Sequence, residues 1–330
     1  MASSIHRKPS YARRFVWLAT AIVAVIGLYS AGWHFAADRL IDEVNAGVAN
    51  LNRDGRRASC ESAEARGYPF RIGVFCRSVL IEDARGGFSI RARQFRSAAQ
   101  VYNPFHVIGE LDGPATLEVP GLNALDLGWS SLRASVRLAQ PLPERVSIEA
   151  LNLDVRLDEP GDVSPPLGGA DQLELHLRPA GTDLDLAARF AGLRLAPEAI
   201  DGVSLPPLNG LVDLSVEDGA SGGMPARGLR GRSGTIRSAT VSLDETTGVT
   251  VFGPASVDQD GLVDADLRVT FRNPAAIGAI LTELLPEMRR EIDLSVAGLS
   301  AMGDEPSLPL RIVKGEMRLG FLSLGSIPPL

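Results

Sequence analysis

The stretch VDADLRVTFR, residues 263–272, determines the fold class that we predict for this chain. Its odd-numbered positions are all apolar, from Val263 to Phe271, and its even-numbered positions are all charged or polar, from Asp264 to Arg272. Because successive side chains of a β-strand point to opposite sides, this alternation gives the strand one apolar and one hydrated face. Such strands are typical of antiparallel sheets, whereas parallel strands covered by helices on both sides are apolar throughout.

The same alternation recurs in SLRASVRL (131–138) and LELHLR (173–178). Turn-forming clusters, EPGDVSPPLGG (159–169) and EDGASGGMPARG (217–228), separate such segments. A composition of 45% hydrophobic but only 5% aromatic residues, with 34 glycines and 22 prolines, also favours many short strands joined by turns. We predict a mostly β (α+β) fold with one or more curved antiparallel sheets and a few short helices.

An apolar segment near the N-terminus, Phe15–Ala37, carries no formal charge. As a helix it would span about 34 Å, enough to cross the ~30 Å hydrocarbon core of a membrane. We predict an uncleaved transmembrane signal anchor, with Trp17, Tyr29 and Trp33 at the membrane interfaces. The alternatives are a cleaved signal peptide, whose apolar region is usually shorter, and an amphipathic surface helix, for which this segment lacks a polar face.

The residues on either side of the anchor indicate its orientation and its continuation. Residues 1–14 contain no acidic residue and these basic ones: His6, Arg7, Lys8, Arg13 and Arg14. The positive-inside rule therefore predicts a cytoplasmic tail over 1–14 and places everything beyond the anchor outside the cytoplasm. Residues 38–55 are predicted to form a juxtamembrane helix, because their apolar residues follow a helical period: Leu40, Ile41, Val44, Val48 and Leu51.

Cys60 and Cys76 are the only two cysteines of the 330 residues. Thiols outside the cytoplasm are usually oxidised, and this spacing matches no short redox or zinc motif. We predict a structural disulfide, which should stabilise the fold by about 3 kcal/mol through closure of a loop of this length. Two free buried thiols and a catalytic cysteine are the alternatives.

The charge balance argues against two kinds of partner. Four of the 33 Lys and Arg residues lie in the basic tail, which leaves 29 basic against 40 acidic residues in the rest of the chain. A net charge near −11 argues against binding to nucleic acid and against broad electrostatic binding to anionic lipid head groups.

Motifs of known catalytic or phosphate-binding sites are missing from the sequence, which contains no G-x-S-x-G, H-E-x-x-H or Walker loop. The glycine-rich GLRGRSG (228–234) precedes a strand-like segment rather than a helix, and we interpret it as a turn. Two acidic pairs and one histidine could act as ligands or acid–base groups, but we expect them on hydrated strand faces: Asp183 with Asp185, Asp264 with Asp266, and His176. We therefore predict a protein that is not an enzyme and that holds no metal or cofactor.

The motif GYPF, formed by Gly67, Tyr68, Pro69 and Phe70, lies between the two cysteines. Pro69 cannot donate a hydrogen bond to a neighbouring strand, so the motif should turn the chain between two disulfide-linked strands. Tyr68 and Phe70 would then point into the core or cap it. The alternative is a docking site or gate at one end of a groove.

Four short sequence matches recur in the same order about 80 residues apart, and they indicate an internal duplication. The pairs are VRLDE (155–159) with VSLDE (241–245), DLDLAARF (183–190) with DADLRVTF (264–271), PEAI (197–200) with PAAI (274–277), and VDLSV (212–216) with IDLSV (292–296). Each unit would contain two strands, a short helix after the proline and a further strand. We therefore divide the exported part into a disulfide-linked β region (56–154), β unit 1 (155–235), and β unit 2 with the C-terminal strands (236–330).

Three segments resemble an uncharacterised alphaproteobacterial family known as domain of unknown function 2125. They are AGWH (31–34) at the end of the anchor, GYPFR (67–71) between the cysteines, and the terminal GEMRLGFLSLGSIPPL (315–330). The resemblance covers nearly the whole chain and implies an envelope protein of the bacterial inner membrane, with no known activity. More distantly, an anchor followed by strands with one apolar face is similar in layout to AsmA-like envelope proteins, which are thought to bind or conduct lipid in a β-groove.

The apolar strand faces lead to the functional hypotheses. They need a cover, which can be a second sheet, helices or a lipid, and the predicted helices (38–51 and 277–291) are too few for so many strands. The first hypothesis is a periplasmic domain that binds lipid or another amphipathic ligand. The second is a ligand-free scaffold that binds envelope proteins through sheet edges, and an envelope hydrolase is the third.

Overall fold

The structure is a computed structural model that describes residues 11–53, 56–84, 86–159, 164–200, 202–221, 229–320 and 322–330. Helix α1 runs unbroken over Tyr11–Leu51 and contains both the predicted anchor and most of the predicted juxtamembrane helix. It is long and apolar enough to cross a membrane. The predicted basic tail lies largely outside the described residues, and only Arg13 and Arg14 of its basic side chains fall within α1.

Within the described residues, twenty strands follow the helix, all paired antiparallel in one sheet that does not close on itself. The first ten are β1 (Arg56–Cys60), β2 (Glu64–Arg66), β3 (Arg71–Cys76), β4 (Val79–Asp83), β5 (Phe88–Ala92), β6 (Phe95–Gln100), β7 (Asn103–Leu111), β8 (Ala115–Glu118), β9 (Leu125–Gly128) and β10 (Ser131–Arg137). The others are β11 (Arg145–Leu157), β12 (Pro166–Ala180), β13 (Asp183–Leu195), β14 (Leu208–Val216), β15 (Arg232–Ser242), β16 (Gly248–Val257), β17 (Val263–Arg272), β18 (Ser307–Val313), β19 (Glu316–Leu319) and β20 (Leu322–Ser326). The predicted fold class is confirmed.

The sheet divides into two arms at one edge of β11. The first half of β11 pairs with β10, whereas its last four residues pair with β9. The division occurs at Asn152, which has a positive φ of 51° and whose Nδ2 donates a hydrogen bond to Ser130 Oγ at 2.8 Å. Asparagine tolerates this left-handed conformation better than most residues, so it can separate the two pairings.

The two arms form a fork that the disulfide closes at its far end. The first arm continues from β9 through β8, β5 and β4 to β1, and the second continues from β10 through β7, β6 and β3 to β2. A disulfide joins Cys60 on β1 to Cys76 on β3. The buried apolar residues of the fork, and of β11 and β12 at its base, are small: Ala58, Val74, Cys76, Ala92, Ala99, Ala115, Ala150 and Ala170.

On its other edge β11 begins a ladder that runs in chain order from β11 to β20. Several register shifts interrupt it, including one around Arg237 where β15 meets β14 and β16. Such bulges bend a strand and increase its twist. The ladder is therefore a meander of hairpins in which each strand pairs mainly with its neighbours in sequence.

Three of the four sequence matches behind the proposed duplication fall on equivalent secondary-structure elements, and the fourth does not. The first three matches fall on equivalent places: the ends of β11 and β15, the strands β13 and β17, and the helical starts Pro197–Ile200 and Pro274–Ile277. The fourth does not, because VDLSV lies in β14 while IDLSV lies in helix α3 (Arg289–Ser300). The prediction of a strand at IDLSV was wrong, and the duplication itself stays a prediction.

A helical hairpin occupies the place where one helix was predicted over 277–291. Helix α2 (Pro274–Leu284) begins at the proline itself, with the Asn273 side chain accepting a hydrogen bond from Ala276 N. It ends before Pro286, because proline cannot continue a helix, and a short 3₁₀ turn (Pro286–Met288) leads into α3. Val296 of α3 packs closely against Gly278 of α2, where an added Cβ would lie 2.3 Å from Val296 Cγ2. This packing explains why IDLSV is helical.

Candidate functional site

An unbroken row of aliphatic side chains crosses the ladder. One residue from each of eight neighbouring strands, β11 to β18, contributes to this central row: Ile148, Leu175, Ala188, Val212, Ala239, Val251, Val269 and Leu308. A second row on the same side contains Val146, Leu177, Leu186, Leu214 and Ile236. We call this side of the ladder the apolar face.

The opposite side of the same strands is polar. Next to the central row, the register aligns Ser147, His176, Ala187, Asp213 and Ser238, and a further row contains Arg133, Glu149, Glu174 and Arg189. Residues 175 and 176, adjacent in sequence, therefore point to opposite sides of the sheet. The strand alternation seen in the sequence thus separates two chemically different faces.

The apolar face is only half-buried. Of the central row only Val269 is buried, and the other members keep part of their surface exposed. In the described ladder the buried cluster is small, formed by Ala265, Leu267 and Ile312 near the C-terminal end. The chain has an accessible surface of 21503 Å², whereas a compact protein of this mass would have about 13,000 Å². The protruding α1 contributes to this excess, and the thin ladder with its half-buried apolar face contributes as well.

The GYPF motif contacts helix α1. Tyr29 OH donates a hydrogen bond to Pro69 O, Ser30 Oγ lies 2.7 Å from Tyr68 OH, and Trp33 Nε1 donates to Arg71 O at 2.9 Å. The Tyr68 ring also packs edge-on against Trp33, with ring centroids 5.4 Å apart. We call these contacts the clamp.

The clamp adds one contact that the sequence did not predict and corrects one expectation. Trp33 is only 8% exposed, because the turn between β2 and β3 covers it, and its position at a membrane interface stays a prediction. Phe70 was predicted to enter or cap the core, yet it is 71% exposed, and Tyr68 packs on the helix instead. The motif does turn the chain, but it joins β2 to β3, whereas the disulfide links β1 to β3. The alternation of apolar residues contains no signal for a contact between residues almost forty positions apart.

Asp185 is the most enclosed of the carboxylates that the sequence singled out. It was expected on a hydrated face, but it is only 9% exposed, because two arginines cover it. Arg178 and Arg237 donate to its two oxygens at 3.0 and 2.9 Å. The hydrogen bond from Arg237, together with those from Ser215 and Arg178, holds the pKa of Asp185 below its usual value despite the desolvation that opposes this.

We expect Asp185→Asn to lower the free energy of unfolding by about 1–3 kcal/mol at neutral pH, because two charge-assisted hydrogen bonds weaken. Since folding lowers the pKa of Asp185, its contribution is complete above the usual pKa of about 3.9 and is lost as the pH falls through the lowered value. Thermal or urea unfolding at pH 7 and at pH 3 should show the wild type and the variant converging in acid.

The control for this experiment is Asp266→Asn, because Asp266 pairs with Arg311 at 3.6 Å and its side chain is 65% exposed. An exposed pair of this kind contributes less than ~1 kcal/mol. The role of the buried ion pairs of Asp185 would be contradicted if both variants lost the same free energy of unfolding. It would also be contradicted if the loss for Asp185→Asn were the same at both pH values.

The other candidate ligands already have partners within the sheet. Asp183 accepts a hydrogen bond from Asp218 N at 3.1 Å, Asp264 accepts one from Lys314 N at 3.0 Å, and His176 lies 2.9 Å from Ser147 Oγ. In the part of the chain that the structure describes, no three His, Cys, Asp or Glu side chains form a group that could hold a metal ion. Gly228 lies outside the described residues, residues 229–231 form a turn, and the last three residues of GLRGRSG begin β15.

Comparison with known proteins identifies the family. The sequence model of a bacterial family described as "Uncharacterized protein conserved in bacteria (DUF2125)" matches residues 33–328. The chain belongs to this DUF2125 family. The match begins at Trp33, inside the clamp, and includes the whole β domain. A search of curated proteins found no match.

Proposed function

We propose that this DUF2125 protein is anchored in the bacterial inner membrane by Phe15–Ala37 and that its periplasmic β domain binds lipid or another amphipathic ligand for envelope maintenance. The observation that carries the proposal is the half-buried central row. Eight strands spaced by ~4.8 Å extend over about 34 Å, which exceeds the ~15 Å that one leaflet contributes to a hydrocarbon core of ~30 Å. One acyl chain could therefore lie on the apolar face.

Burial of acyl chains would provide the driving force. Each methylene group that leaves water contributes about 0.8 kcal/mol. The side chains of the central row are all aliphatic, from alanine to leucine, so the row offers an apolar surface without a polar group. We therefore propose binding of a flexible apolar ligand rather than catalysis, which is also supported by the arginine and backbone partners of the candidate carboxylates.

The second candidate function is a scaffold that binds envelope proteins, and the C-terminal strand favours it. All residues of β20 are exposed, including Leu322 at 42% and Leu324 at 50%. Within the described residues, β20 pairs with β19 alone. A free strand edge can bind a partner by strand addition.

Photo-crosslinking on the full-length protein in its own membrane tests the first candidate. We expect Leu175→p-benzoylphenylalanine to form lipid adducts on irradiation, detected by mass spectrometry of the purified protein after organic extraction. The matched control is His176→p-benzoylphenylalanine, which lies on the same strand but on the polar face. The pair Val212 and Asp213 on β14 repeats the comparison at a second place.

The outcomes separate the two candidates. Lipid adducts at Leu175 and Val212 that exceed those at His176 and Asp213 at least several-fold would support lipid binding. Adducts to a defined protein at the apolar positions would show that the apolar face binds a protein partner and not a lipid. Equal lipid labelling of both faces would show only contact with detergent or bulk lipid and would overturn the proposal.

A further inference from the structure

Four large apolar side chains lie exposed at the end of the fork that is nearest to the clamp. The exposed fractions are 71% for Phe70, 78% for Tyr102, 66% for Phe105 and 46% for Leu138. We call these four residues the rim. Isolated exposed apolar residues need no explanation, but a contiguous group of them, mostly aromatic, indicates an interaction surface.

Backbone hydrogen bonds show that the rim is contiguous. Val101 N donates to Phe70 O at 3.0 Å, and Leu138 N donates to Phe105 O at 2.7 Å. Tyr102 follows Val101 in the turn between β6 and β7, and Phe105 lies three residues further along the chain. The rim therefore joins the ends of four neighbouring strands, β3, β6, β7 and β10.

The clamp fixes the height of the rim along α1. Phe70 lies between Pro69 and Arg71, whose carbonyl oxygens accept hydrogen bonds from Tyr29 and Trp33 of the helix. Both helix residues lie in the last nine positions of the predicted span, which correspond to about 13 Å of helix. Half of the hydrocarbon core is ~15 Å thick, so a helix that crosses the membrane brings Phe70 to the level of one leaflet.

We propose that the rim inserts into the outer leaflet of the membrane that α1 crosses, so that the domain touches the bilayer at a second place. The ring of Tyr102 is amphipathic and favours the membrane interface, whereas Phe70, Phe105 and Leu138 are purely apolar and gain by leaving water. Arg71 and Arg137 border the rim, and their guanidinium groups can donate to lipid phosphates. Arg137 also has a carboxylate neighbour, Glu144, at 3.8 Å.

The insertion has a consequence for the apolar face. Phe105 and Val107 lie on the same side of β7, and the register continues from Val107 through Val136 and Val146 into the second apolar row. A lipid that leaves the bilayer at the rim would thus reach the ladder along an apolar surface. This consequence rests on the proposed lipid binding, whereas the insertion itself rests only on the proposed anchoring.

Spin labels on the full-length protein test the insertion. The protein is reconstituted with its disulfide intact into vesicles of phosphatidylethanolamine and phosphatidylglycerol, and Phe70→Cys, Tyr102→Cys and Phe105→Cys are labelled one at a time. The measured quantity is the ratio of oxygen accessibility to that of a water-soluble nickel complex. A label at Leu211→Cys, which is 45% exposed in the ladder, serves as the aqueous control, and one at Val25→Cys, 65% exposed on α1, serves as the bilayer control.

We expect the ratio of oxygen to nickel accessibility at the three labelled rim positions to exceed that at Leu211→Cys at least several-fold. It should approach the ratio at Val25→Cys. Aqueous ratios at the rim with a bilayer ratio at Val25→Cys would overturn the insertion and leave the anchoring intact. An aqueous ratio at Val25→Cys as well would refute the anchoring. Low accessibility to both reagents, with spin–spin broadening that vanishes on dilution with unlabelled protein, would assign the rim to a second copy and also overturn the proposal.

Discussion

Trp33→Ala is expected to lower the free energy of unfolding of the β domain by about 3–5 kcal/mol, the range for removal of a buried tryptophan. The side chain is 8% exposed and packs between α1 and the β2–β3 turn. The substitution would also leave Arg71 O without the indole N–H that it accepts at 2.9 Å. The Tyr68 ring would lose its edge-on contact with the indole at the same time.

The measurement combines thermal unfolding with hydrogen exchange of the β2–β3 turn in reconstituted protein. Exchange should rise in residues 67–71 of the variant before the rest of the sheet opens, because the clamp holds this turn against the helix. Trp17→Ala on the same helix is the matched control, since Trp17 is 68% exposed and its loss leaves no cavity in the domain. If both variants unfold like the wild type, Trp33 does not join the helix to the domain.

The contacts of the clamp could not be predicted from the sequence. Tyr29 and Trp33 sit near the end of an apolar segment, and aromatic residues there commonly lie at a membrane interface. Whether such a side chain instead meets a protein loop depends on how the chain returns, which the period of a helix does not encode. The strand alternation, by contrast, fixes the two faces of each strand, so the fold class and the polarity of both faces could be predicted.

Two further differences have local causes. IDLSV has the same letters as a half-buried strand, but within RREIDLSVAGLS its apolar residues Ile292, Val296 and Leu299 also share one face of a helix, and Gly278 leaves room for Val296. A five-residue pattern cannot separate the two cases. Asp185 is enclosed because the irregular register around Arg237 brings this arginine from two strands away. Bulges follow from pairing, which a single sequence does not reveal.

Replacement of both cysteines, Cys60→Ala with Cys76→Ala, is expected to lower the free energy of unfolding by about 3 kcal/mol, because the open chain gains the entropy that closure of this loop removes. Alanine is the appropriate substitute, since Cys76 is 3% exposed and a serine hydroxyl there would be buried without a hydrogen-bond partner. Urea unfolding of the oxidised wild type and of the double variant measures the difference. Dithiothreitol should bring the wild type to the level of the variant and leave the variant unchanged.

The location of the disulfide gives this prediction a second, spatial part. The bond joins the outermost strand of the first arm, β1, to β3 of the second arm, while the clamp holds the other end of β3 at Arg71. Strand β3 is therefore fixed at both ends, and hydrogen exchange in the double variant should rise in β1 and β3 more than in the ladder. Because both constraints act on one strand, combining the double variant with Trp33→Ala should give a loss that differs from the sum of the separate losses. If the two losses in free energy of unfolding simply add, the disulfide and the clamp act independently. The two arms of the fork would then be held together only by their strand pairing with β11.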